Sequence, residues 1–130
     1  MEEFHQEIMV MWSLQHPNII ALLGYVENPP CIITKLYDTD LHRLIHHESA
    51  LITDAVVLKL SQDIARAMLA IHNIGVIHRD LKSPNVLISR PADQPANVTA
   101  AVCDFGIARV VKAPQLVNQK FFSVAGLSPR

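Results

Sequence analysis

The sequence predicts an α+β fold, and three observations carry that prediction. Apolar residues recur at helical spacing near the N-terminus and again across residues 53–73; two short apolar runs flank a proline-containing turn in the manner of an antiparallel pair; and after Gly75 the pattern changes to short strands and loops. With 130 residues, 50% hydrophobic and 18% charged, the chain is long enough for one domain and too apolar to be a disordered, low-complexity or collagen-like segment.

Phe4, Ile8, Met11, Trp12 and Leu14, with Glu2, Glu3, Gln6 and Glu7 between them, predict an amphipathic helix that is already under way at the first residues. It must stop at His16-Pro17-Asn18, because a residue before proline is pushed out of the α region. Ile19 to Tyr25 reads as a strand, Glu27 to Pro30 as a turn and Cys31 to Leu36 as a second strand. Thr39 or Asp40 can cap a short helix through His47, and Thr53 a long one to about Asn73. In the long helix Lys59, Gln62, Asp63, Arg66 and Asn73 form a narrow polar stripe, and the apolar surface around Leu58, Ile64 and Met68 is expected to need covering. Val76-Ile77, Val86 to Ile88 and Val98 to Cys103 read as strands, with a polar stretch from His78 to Asn85 and a surface loop from Arg90 to Asn97.

Eleven basic residues face 12 acidic ones, a formal net charge of -1 with no Lys/Arg block, which argues against nucleic acid or an acidic membrane surface as partner. Cys31 and Cys103 cannot make a disulfide framework and show no metal-binding spacing, so both read as small hydrophobes of a reduced protein. The acidic start and the lack of an apolar run near 18 residues predict no signal peptide, no membrane segment and a cytoplasmic location. His42, His46 and His47 read as solvated surface.

The chemistry concentrates in His78-Arg79-Asp80-Leu81-Lys82-Ser83-Pro84-Asn85, followed one strand, loop and strand later by Asp104-Phe105-Gly106. Phosphoryl transfer from a nucleotide needs carboxylate and amide oxygens for magnesium, a carboxylate to orient the attacking hydroxyl and a cation for the migrating group. Asp80 and Asn85 lie on one loop, and Asp104 ends the next strand. The loop matches H-R-D-L-x-x-x-N at all five specified positions, a coincidence on the order of once in 10^4 to 10^5 chains of this length.

With D-F-G following, the sequence resembles the protein kinases, and specifically the serine/threonine members of the tyrosine-kinase-like group. Phe4 to Glu7 looks like the helix with the ion-pair glutamate, His16 to Ile19 like the turn after it, and Ile33 to Tyr37 like the strand and hinge that receive adenine. The resemblance implies a kinase-like bilobal α+β fold, incomplete at both ends, with residues 1–37 as the end of the smaller lobe and the hinge and 38–130 as the first part of the larger lobe. It implies ATP and Mg2+ as cofactors and a protein serine or threonine as acceptor, and it makes Asp80 the catalytic base, Lys82 the phosphate-neutralising cation and Asn85 and Asp104 the metal ligands. Glu7, Thr34, Lys35, Tyr37 and Leu87 would contact or line the nucleotide site, Arg79 would grip a phosphorylated residue after Gly106, and Met11, His78 and Phe105 would join the apolar stack between the lobes. Cys103 would line the same nucleotide site, and Ser128 would lie on the acceptor-binding loop. The glycine-rich loop and its lysine do not precede Glu7 and A-P-E does not follow, so this stretch by itself is expected to be inactive, and the alternative reading is a truncated, non-catalytic kinase-like module that binds a partner protein.

Overall fold

The computed structural model describes residues 2–94 and 96–111. The first helix, α1 (Glu2–Ser13), buries Ile8, Val10 and Met11 and ends just ahead of Pro17, as the proline predicts. The two strands that follow are β1 (Leu22–Glu27) and β2 (Pro30–Thr34), antiparallel with Glu27 opposite Pro30. The first strand begins later than its β-branched run suggests. Ile19 forms a parallel bridge with Val102, and the Ile20 N–H donates to the Val102 carbonyl at 2.9 Å, so these residues leave the hairpin for another sheet.

A short strand β3 (Thr39–Asp40) leads into α2 (Leu41–His47), where Asp40 and not Thr39 is the cap, its Oδ1 accepting the Arg43 N–H at 2.9 Å. Thr53 caps α3 (Asp54–Asn73) by accepting the Val56 N–H at 3.3 Å. Beyond it come β4 (Val76–Ile77), a 3-10 turn at Ser83–Asn85, β5 (Val86–Ser89), β6 (Thr99–Val102) and β7 (Arg109–Val110). β3, β5 and β6 make a three-stranded antiparallel sheet, and β4 pairs with β7. Arg90, just after β5, gives its backbone N–H to Asp38 at 2.6 Å and its guanidinium to both carboxylate oxygens of Glu48, tying the start of β3 to the end of α2.

Two apolar cores share α3. One joins Val10 and Met11 of α1, and Leu14 just after it, to Ala67, Ile71, Val76, Val102 and Phe105; the other joins Leu44, Val56 and Leu60 to Val86, Ile88, Val98 and Ala100. Ile64 touches both cores and Met68 packs against the first, so of the three residues expected to lie uncovered only Leu58 is exposed. Asp63 departs from the polar stripe altogether and is buried. Cys31 is exposed on the hairpin, contrary to its reading as a small hydrophobe, because β2 belongs to a two-stranded sheet that leaves most of that strand's residues open. No helix among the described residues is long and apolar enough to cross a membrane.

Candidate active site

The loop between β4 and β5 is organised by His78. The Asp80 N–H donates to His78 Nδ1 at 3.2 Å, so the ring proton sits on Nε2, which donates to the Cys103 carbonyl at 2.9 Å. One buried imidazole thereby ties the loop to the segment just before Asp104, and its ring packs on Phe105 with centroids 5.1 Å apart. Arg79 has φ 67°, the left-handed region that costs a side chain about 1–3 kcal/mol. That backbone bend places Arg79 and Asp80 on different partners: Arg79 Nε donates to the Ile107 carbonyl at 2.6 Å, while Asp80 meets Lys82 and Asn85.

Lys82 Nζ lies 3.1 Å from Asp80 Oδ1, with the lysine side chain more than half exposed, so the pair is a solvent-screened contact that leaves the ammonium available to another anion. Asn85 is 7% exposed and donates through Nδ2 to the Asp80 carbonyl at 2.9 Å and to Asp80 Oδ2 at 3.1 Å. With the amide nitrogen so engaged, Asn85 Oδ1 is left as a hard oxygen donor. The Cys103 N–H donates to the Asn85 carbonyl at 3.0 Å, holding the segment between β6 and Asp104 to the loop.

Asp104 also has a left-handed backbone, φ 65°, and its Oδ1 accepts the Gly106 N–H at 3.3 Å, a one-residue turn around Phe105. A Cβ on Gly106 would meet that same oxygen at 3.3 Å, closer than an ordinary van der Waals contact. Glu7 on α1 reaches this turn. Burial pushes its carboxyl above the usual range, the Asp104 charge adds to the effect, and a hydrogen bond from the Phe105 backbone opposes it. Burial likewise pushes the Cys103 thiol up to about 11, with Asp104 and Asp40 contributing.

The structure therefore brings Asp80, Lys82 and Asn85 into direct contact and sets Glu7 beside Asp104. Leu87, in β5, stands opposite Asp40 on one side and Ala101 on the other. Thr34 ends β2 opposite Leu22, the Lys35 N–H donates to the Ala21 carbonyl at 3.0 Å and Tyr37 Oη accepts the Ala21 N–H at 3.3 Å, so the predicted hinge residues are anchored on the hairpin side. The predicted acceptor-loop residue Ser128 lies outside the described residues. Sequence reasoning missed Asn18 and Asp63, which are buried and bond to β6. Asn18 follows Pro17 as an ordinary turn residue, and Asp63 hides among the lysine and arginine of a helix face, so neither carries a local signal. For a hard divalent ion, the amide oxygen of Asn85 and the carboxylate of Asp104 are a fitting donor set.

The loop of Asp80, Lys82 and Asn85 is thus locked by His78 to the Asp104-Phe105-Gly106 turn, which Glu7 of α1 reaches. The chain belongs to the family described as protein tyrosine and serine/threonine kinase, whose sequence profile matches residues 1–123. It is similar to the probable serine/threonine-protein kinase SIS8 of Arabidopsis thaliana, 37% identical over 124 residues, covering 92% of this chain and 12% of that protein. It is also similar to the serine/threonine-protein kinase CTR1 of Arabidopsis thaliana, 37% identical over 131 residues, 95% of this chain and 15% of the other. The probable serine/threonine-protein kinase roco6 of Dictyostelium discoideum is 40% identical over 115 residues, 82% of this chain and 5% of its own length. The chain thus spans a small part of the length of the curated relatives it matches. Kinases of this family use ATP and a divalent metal in general.

Proposed function

We propose that this chain forms the central part of the catalytic domain of an ATP- and Mg2+-dependent protein serine/threonine kinase acting in the cytoplasm, with residues 1–37 in the smaller lobe and hinge and 38–130 in the larger lobe. The observation that supports it most is the contact set of Asp80, in which one carboxylate meets Lys82 at 3.1 Å and Asn85 at 3.1 Å. Asp80 orients the acceptor hydroxyl and takes its proton as the hydroxyl oxygen bonds to the γ-phosphorus of ATP and the bond from that phosphorus to the β,γ-bridging oxygen breaks, ADP being the leaving group. Lys82 turns its ammonium to the non-bridging oxygens of the migrating phosphoryl group, a compact charge that can approach them closely. Asn85 Oδ1 and the Asp104 carboxylate would hold Mg2+, which when bound would neutralise phosphate charge. The backbone of Lys35 to Tyr37 receives adenine, Leu87 lies under its ring, Thr34 closes the back of the pocket and Glu7 anchors a cation beside the phosphates. Serine or threonine as acceptor agrees with Lys82 and with the names of the relatives.

The test uses the full-length protein with Mg2+-ATP and a mixed peptide library. Asp80→Asn should cut phosphoryl transfer by roughly 10^2- to 10^4-fold while circular dichroism and melting stay close to wild type, since the replacement is nearly isosteric. Unchanged turnover would remove Asp80 from this role, and predominantly phosphotyrosine product would overturn the acceptor assignment.

A further inference from the structure

Asp63 lies mid-helix in α3 with 1% of its surface exposed, as buried as the apolar Leu60, Ala67 and Ile71 of the same helix. A buried carboxylate is tolerated only where donors and cations meet it. Here Oδ2 accepts the Ala100 N–H of β6 at 3.0 Å and Lys59 Nζ at 2.5 Å, and Oδ1 lies 3.5 Å from Arg66 Nη1. The Ala100 peptide is held at its other end too, where Asn18 Nδ2 donates to its carbonyl at 3.0 Å. Two residues on, the Val102 N–H donates to the Asn18 carbonyl at 2.8 Å and the Val102 carbonyl accepts the Ile20 N–H at 2.9 Å. The edge of β6 that faces away from β5 is thus secured at four backbone atoms. Asp63 is the helix's contribution to that clamp.

β6 runs directly into Cys103, whose N–H is bonded to Asn85, and then into Asp104. The position of β6 therefore sets the backbone from which Asp104 projects, next to the Cys103–Asn85 hydrogen bond. We infer that Asp63 is a positioning residue for the divalent-metal site, setting through β6 the placement of Asp104 relative to Asn85. This rests on the metal-ligand roles proposed above for those two residues.

In the full-length protein, Asp63→Leu removes the acceptor, and Asp63→Asn keeps an oxygen for Ala100. Two readouts apply: Mn2+ binding in the presence of ADP, followed by electron paramagnetic resonance, and amide hydrogen exchange of the peptide covering residues 99–104. Asp63→Leu should weaken Mn2+ binding by roughly tenfold or more, the scale seen when groups supporting metal ligands are lost, and should speed exchange in that peptide. Asp63→Asn should restore most of both. Should Asp63→Leu fail to fold, Asp63→Ser, which admits water to the Ala100 N–H, is read in the same way. Wild-type Mn2+ affinity in the variant that folds overturns the inference, as does weakened affinity that Asp63→Asn leaves unrescued. A wild-type protein that binds Mn2+ and ADP but transfers no phosphoryl group sinks the kinase assignment and leaves the positioning role standing.

Discussion

Asn85 directs its side-chain amide at two oxygens of Asp80, the backbone carbonyl at 2.9 Å and Oδ2 at 3.1 Å. The residue that holds the loop's shape is also the one whose remaining oxygen is proposed to meet the metal. Shape and chemistry at Asp80 therefore cannot be separated by changing Asn85.

Replacing Asn85 with Ala should accordingly hurt stability as well as activity. It deletes both bonds from a side chain that is 7% exposed, a loss of about 1–3 kcal/mol. Chemical denaturation of the full-length protein, monitored by a signal from this domain, checks it. A midpoint equal to wild type would show that the two bonds contribute nothing net.

Glu7 gives a dependence on pH. Its carboxyl is raised in the folded protein by burial and by Asp104, so the folded state holds that proton more firmly than the unfolded state does. The linked stability is fully present below the ordinary carboxyl value of 4.5 and is lost as pH rises through the raised folded value. In the 130-residue chain, Glu7→Gln, which cannot carry the buried charge, should therefore melt higher than wild type at neutral pH, with the gap closing below that value. In the full-length protein, where Glu7 is proposed to anchor a cation, the same change should lower phosphoryl transfer. A gap that widens on acidification would reverse the sign of the argument.

The two thiols should differ in reactivity. Cys103 is held near 11 and is half-buried, so almost none of it is thiolate near pH 8, whereas Cys31 lies open on the hairpin. Iodoacetamide labelling read by mass spectrometry should modify Cys31 well before Cys103. The opposite order would place Cys103 in a more open or more cationic setting than the one described.

Much of this architecture was legible in the residues. Thr53, Asp40 and Pro17 punctuate the helices where capping and proline geometry demand, and Asp80, Lys82, Asn85 and Asp104 stood out because one loop and one strand end carry all the groups that phosphoryl transfer needs. The misreadings come from contacts distant in sequence. Ile19 and Ile20 look like the start of a hairpin strand, yet their backbone partners lie more than 80 residues on, at Val102. Asp63 looks like one more polar residue beside Lys59 and Arg66 until Ala100 arrives at its carboxylate. His78, too, is read from the motif as part of an apolar stack, and only the fold shows both ring nitrogens bonded, one to Asp80 and one to Cys103.

The closed edge of β6 also bears on solubility. Val98 to Val102 carries no charge and no proline, and β6 is the terminal strand of its sheet. An open strand of that composition is a template on which a second chain can add by backbone pairing, the usual first step toward fibrils. Asn18, Ile20 and Asp63 cover its amides and carbonyls before any other molecule can, so substitutions that loosen them should show first as rising light scattering on gentle warming, ahead of any global unfolding.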